Sequence, residues 1–173
     1  ILEYYFPYHD LLDRDWKEVL DELIPVMLAG EDQNSYRRTI SKLLTHLHDS
    51  HASVANNNYD YDLTSDITSE QDIPIYVKEA EGKLVVSDTI EGCTLARGDI
   101  ILEMNGMSVE EAAQIVETYA SCSRESGFLS RNAYNILFEM TSTQGPVTAT
   151  VLRDGKKETL SCNCSWWSSS RAI

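Results

Sequence analysis

The sequence lacks any hydrophobic run approaching the roughly 20 apolar residues that a membrane-spanning helix needs, so no transmembrane segment is expected. It is poor in basic side chains: 14 Lys and Arg stand against 28 Asp and Glu, a formal net charge of -14. A surface of that sign repels phosphate backbones and anionic membranes. Nucleic acid is therefore not an expected partner, and proteins or small molecules are. Cysteine is scarce, and Cys93, Cys122, Cys162 and Cys164 form no dense disulfide framework. Cys162 and Cys164 would share one face of a strand, where two thiols can meet a partner or a metal. No CxxC pair supports a zinc site, so unpaired or incidental thiols are expected and no cofactor is. The chain also opens without a methionine or a signal peptide, and Ile1 to Tyr8 reads like the interior of a longer polypeptide. A processed or excised fragment is the expectation.

What is present is an ordinary folding composition. Of 173 residues 42% are apolar, enough for one domain or two small ones. The aromatic cluster Tyr4, Tyr5, Phe6 and Tyr8 suggests core packing and no particular chemistry. From Asp13, a good N-cap, the residues Trp16, Val19, Leu20, Leu23, Ile24, Met27 and Leu28 recur at the spacing of one helical face, with Gly30 as a stop. Pro25 lies inside this pattern and predicts a bend or a division near Leu23, because an interior proline removes a hydrogen bond and costs about 3 kcal/mol in a straight helix. A second helical run carries Tyr36, Ile40, Leu43, Leu44 and Leu47. Two amphipathic helices with a short connection predict an antiparallel pair or small bundle.

The second run ends in Leu44-Thr45-His46-Leu47-His48-Asp49-Ser50-His51-Ala52. Three histidines within six residues suggest a transition metal, because imidazole is its commonest ligand. Against this, His46 and His48 point to different helical faces and the usual i, i+4 pair is absent. A cluster at the negative end of a helix dipole, with no chemistry, is the plain alternative.

Residues 56–72 are polar and without apolar period, which reads as a linker or exposed loop. Ile73 to Val77 and Leu84 to Thr89 read as strands joined through Glu81-Gly82-Lys83. The most structured signal follows. Gly98-Asp99 marks a turn, Ile100 to Met104 a buried strand, and Asn105-Gly106 a tight type I′ reversal. Ser108 and Glu111 have the form of a capping box, after which Val109, Ala112, Ala113, Val116 and Tyr119 recur at helical spacing. A further helical run within 120–142 carries Phe128, Leu129, Tyr134, Ile136, Leu137, Phe138 and Met140. A hairpin through Asp154-Gly155 joins a strand of Val147, Ala149, Val151 and Leu152 to one over residues 158–162.

Leu95, Arg97, Gly98, Asp99, the strand Ile100 to Met104, Asn105, Gly106 and Val109 together resemble the second half of a PDZ domain of the kind found in bacterial proteases. Leu44, Leu47, Asp49, Ser50 and His51 resemble the motif that precedes the PDZ domain in C-terminal-processing serine proteases and their tricorn-core relatives. Helices first, Ser-His next and PDZ after is also the order of that family. The resemblance implies His51 as the general base for a serine nucleophile far downstream, with Ser50 as its hydroxyl neighbour at the active site. It implies a peptide groove formed by Ile73, Ile75, Tyr76 and Val77 of one strand and by Val109, Ala112, Ala113 and Val116 of the following helix. It further implies protein or peptide substrates bound as extended chains, and a periplasmic or otherwise extracytoplasmic location.

Three departures stand out. No glycine-rich loop for a terminal carboxylate precedes Ile75, Pro74 removes a backbone donor there, and the helical run within 120–142 is an insertion. No serine lies in a Gly-x-Ser-x-Gly turn either, so the nucleophile is expected in a catalytic domain missing from this chain. The reading is therefore an α+β chain: residues 1–55 helical, 56–72 a linker, 73–165 a PDZ-like partly open β-barrel, and 166–173 the start of a connection. The fragment alone is expected to be inactive. The rival reading, from another class, is a non-catalytic PDZ-like adaptor whose histidines only pack.

Overall fold

A computed structural model describes residues 5–54, 75–89, 93–123, 127–141 and 147–162. The chain divides into two compact units, one of residues 1–66 with 117–128 and the other of residues 67–116 with 129–173. The described elements are α-helical or β-strand in both kinds, so the class is α+β.

The first unit is built on helices α1 (Trp16–Ala29) and α2 (Gln33–Thr45), preceded by a short 3-10 turn at His9–Leu11. The N-cap of α1 is Asp15, not Asp13: its carboxylate accepts the Lys17 and Glu18 amides at 2.9 and 3.1 Å. Both aspartates suit a cap by type, but the Asp13 carboxylate is held by His48 Nε2 at 3.2 Å. Pro25 does not divide the helix. It leaves the Asp21 carbonyl without its usual donor, and both residues are exposed, so water can take that place. Gly30 stops α1 in an extended conformation (φ -67°), not a left-handed one. Its role is closeness, since a Cβ there would stand 2.7 Å from Ser35 Oγ. Ser35 and Asp32 form the capping box of α2.

Trp16, Val19 and Leu23 of α1 are buried with Leu43 and Leu47, and Phe6, Leu12, Leu20, Leu44 and Ala52 pack against them. Leu47 thus belongs to the core but lies beyond α2, which ends at Thr45. Tyr36 and Ile24 point away from that core and are about half exposed.

The second unit is a six-stranded antiparallel sheet, β1 (Ile75–Ala80), β2 (Lys83–Thr89), β3 (Ile100–Met104), β4 (Met107–Ser108), β5 (Val147–Arg153) and β6 (Lys156–Cys162), with helices α3 (Val109–Glu117) and α4 (Phe128–Thr141). The order is β1-β2-β3-β5-β6, with β4 folded back on β3. The sheet is open: among the described residues β1 and β6 are its two edges, where the sequence reading expects a partly open barrel. Closure demands a ladder between the first and last strands, and among the described residues none joins them.

The turns follow their sequence signals. Asn105 and Gly106 both take left-handed φ (49° and 83°), as a type I′ turn demands. The Asn105 side chain also accepts from the Thr148 amide (3.0 Å) and donates to the Met140 carbonyl (3.3 Å), tying the end of α4 to β5. Ser108 and Glu111 make the expected capping box. The helix then ends at Glu117, short of Tyr119. α4 is kinked at the buried Asn132 (φ -106°, ψ 16°) and extends the core through Ile136, Leu137 and Met140.

One buried ion pair locks this unit. Asp99, 1% exposed, accepts Arg153 Nε at 2.7 Å on one oxygen; on the other it accepts Arg153 Nη2 at 2.6 Å and the Ala96 amide at 2.8 Å. Arg153 also donates to the Thr94 carbonyl, so the loop before β3 is fastened to the end of β5.

Candidate functional site

The chain leaves α2 through a tight reversal. The Leu47 and His48 amides donate to the carbonyls of Leu44 and Thr45, and His48 then takes a left-handed φ of 48°. Leu47 on one side and Ala52 on the other are seated against the helical core, so the residues between them project from it. The Ala52 amide closes the loop on the Asp49 carbonyl at 2.9 Å.

Within this loop one oxygen of Asp49 accepts the His51 backbone amide at 2.9 Å and faces His51 Nδ1 at 3.1 Å. An ionised carboxylate only accepts, so the pairing places a proton on Nδ1, and in the neutral ring the lone pair is then on Nε2. The imidazole is 92% exposed, while the Asp49 side chain is 33% exposed. A base with its inner nitrogen held by a carboxylate and its outer nitrogen facing solvent is the arrangement that general-base catalysis uses.

Ser50 is engaged elsewhere. Its amide donates to Ser123 Oγ at 2.9 Å, and its own Oγ accepts the Ser123 amide at 2.9 Å and the Ser123 hydroxyl at 3.0 Å. The Ser50 hydroxyl proton is directed to Cys122 Sγ at 3.8 Å. The Asp49 amide donates to Ser121 Oγ at 3.1 Å. Segment 121–123 belongs to the same unit as this loop.

The other two histidines of the cluster do not join His51. His48 pairs with Asp13, whose carboxyl is held below its usual range by that hydrogen bond. His46 caps α2, and burial, reinforced by the nearby Arg14 cation, holds its imidazole below the ordinary value. Among the described residues, no group of three or more His, Cys, Asp or Glu could hold a metal ion. Cys93 and Cys122 are not disulfide-bonded.

The residues expected to line a peptide groove are placed differently from one another. Ile75 and Val77 are buried, as are Val109, Ala112 and Val116, so these side chains contribute to the core. Tyr76 points outward at 48% exposure and Ala113 is half-buried. Among the described residues β1 pairs with β2 along one side only, which makes it an edge of the described sheet. Ile73 lies outside the described residues. The role of Asp49 was carried in the sequence by an acidic residue two positions before a histidine, the spacing of a local side-chain-to-backbone turn. Ser121 and Ser123 gave no local signal.

No family model matches this chain, and no curated protein matches it. Solved structures do. Mature CPAF, a chlamydial serine protease, superposes with a TM-score of 0.57 at 14% identity, over 94% of this chain and 31% of that one. A serine-to-alanine mutant of CPAF gives 0.52 at 14% identity, over 88% of this chain and 29% of that one. The likeness is one of fold. The chain spans less than a third of the length of those neighbours.

Proposed function

We propose that this chain is the N-terminal helical and PDZ-like portion of a serine endopeptidase of the C-terminal-processing, tricorn-like kind, with His51 as general base and Asp49 as the carboxylate that orients it. The observation that carries the reading is the exposed His51 ring with Nδ1 against Asp49. The likeness of fold to a serine protease supports it.

In this reading the serine nucleophile comes from residues of the full protein beyond this chain. As its oxygen attacks the scissile carbonyl, His51 Nε2 takes the hydroxyl proton, and Asp49 stabilises the imidazolium that results. The imidazolium then protonates the leaving amine, a water enters by the same route, and the acyl-enzyme is hydrolysed. Asp49 stays ionised throughout. Substrates are protein segments in extended conformation, for which β1, an edge strand among the described residues, offers main-chain pairing beside Tyr76. The full protein acts outside the cytoplasm.

The test is hydrolysis of an unfolded protein such as β-casein by the full natural chain. His51→Ala lowers turnover by about a thousandfold or more, the scale seen when a triad member is lost. Asp49→Asn lowers it at least about a hundredfold by releasing the tautomer. Equal turnover in wild type and His51→Ala refutes the assignment, and absence of turnover in both favours the adaptor.

A further inference from the structure

We infer that Ser123, seconded by Ser121, is a positioning residue for the His51 base; the inference deepens the proposed endopeptidase reading and rests on it. His51 stands in a short loop outside the helical core, with a ring that is almost wholly exposed. Its partner Asp49 is two residues away on the same loop, so the Asp49 contact fixes the ring to the loop but not the loop to the protein.

The second fixation comes from 72 and 73 residues further along the chain. Ser50 and Ser123 exchange reciprocal amide-to-hydroxyl bonds of 2.9 Å each, their hydroxyls meet at 3.0 Å, and Ser121 receives the Asp49 amide. These bonds hold the backbone on the N-terminal side of His51 at two successive residues. The donors and acceptors are consistent throughout. Ser123 gives two hydrogens to Ser50 Oγ and accepts one from the Ser50 amide, while the Ser50 proton goes to Cys122. With its hydroxyl proton directed to Cys122, Ser50 too acts by holding the loop.

A base displaced by about 1 Å loses on the order of a hundredfold in rate even when substrate binding is intact. Only a hydroxyl with this reach can both accept from the Ser50 amide and donate to its oxygen, so alanine at 123 removes both functions and threonine retains them.

The experiment uses the full natural protein with β-casein as substrate, and compares wild type, Ser123→Ala, Ser123→Thr, Ser121→Ala and His51→Ala. Ser123→Ala is expected to lower kcat roughly 10- to 100-fold with KM within twofold, and Ser123→Thr to recover kcat to within about threefold. Wild-type kcat in Ser123→Ala, a loss carried by KM, or failure of threonine to rescue a folded protein overturns the inference. Where Ser123→Ala does not fold, Ser121→Ala, which keeps the Ser50–Ser123 pair, decides: a severalfold fall in kcat at constant KM supports the role, and unchanged kcat overturns it. If His51→Ala keeps wild-type turnover, the assignment of His51 as base fails, and with it the ground for the positioning role. If His51→Ala is inactive while Ser123→Ala is unimpaired, only the positioning role fails.

Discussion

Replacing Asp99 by asparagine should loosen the sheet unit by about 2–3 kcal/mol. The magnitude follows from the donors around the carboxylate. One oxygen accepts Arg153 Nε, and the other accepts Arg153 Nη2 together with the Ala96 amide. An amide has a single oxygen. Its best orientation keeps that oxygen on the two-donor side and turns the amide nitrogen toward Arg153 Nε, where donor faces donor at 2.7 Å. One charge-assisted hydrogen bond, about 1.5–3 kcal/mol, is lost outright, and the others lose their ionic component. Amide hydrogen exchange reads this unit alone, notably at Val86, whose amide donates to the Asp99 carbonyl. Exchange through global opening should quicken roughly 30- to 150-fold. The sign with pH is fixed too. The hydrogen bond from Arg153, then that from Ala96, holds Asp99 below its ordinary 3.8. Its stabilisation is therefore complete above that value and is lost as pH falls through the lower folded-state pKa. The urea midpoints of wild type and Asp99→Asn should converge in acid. Exchange within threefold of wild type, or a gap that persists unchanged in acid, would refute the reasoning.

Three other outcomes are expected. Pro25→Ala should raise stability by roughly 2 kcal/mol, because α1 already continues through this position and gains the missing bond to Asp21; a lower melting temperature would contradict this. Asn105→Gly and Asn105→Ala should both destabilise the sheet unit by removing the bonds to Thr148 and Met140, alanine by about 1 kcal/mol more because of the left-handed φ, as urea midpoints would register. The melting temperature should fall as pH drops below the ordinary His46 value of 6.5, since burial and Arg14 lower that pKa in the folded chain and the unfolded chain binds the proton first. His46→Gln should flatten that slope, and an unchanged slope would assign it elsewhere.

The parts of this protein that were legible in the sequence are those set by neighbours in the chain. Asn105-Gly106, Ser108 with Glu111, and Asp154-Gly155 each carry their geometry within two to four residues, and the structure shows each as expected. The errors arose where a distant residue decides. Asp13 looks like a cap as well as Asp15 does, until His48 takes its carboxylate. Nothing local states whether the first and last strands meet, so an open sheet reads like a partial barrel. Pro25 does not divide α1, because the carbonyl it leaves without a donor is exposed to solvent, which periodicity does not encode. In the candidate site, the three-residue span from Asp49 to His51 held a carboxylate, a hydroxyl and an imidazole in plain view. Their division of labour was not visible, because Ser50 is claimed by Ser123 on a segment remote in sequence.

The most direct test of the central claim is whether His51 activates a serine. The full natural protein is treated with a fluorophosphonate, which labels a serine only when its hydroxyl is activated, and the rate of labelling is compared with that of His51→Ala. The account predicts rapid labelling of a single serine in the wild type and a rate about a thousandfold lower in the variant. Equal labelling of the two proteins, or labelling of neither, would contradict it.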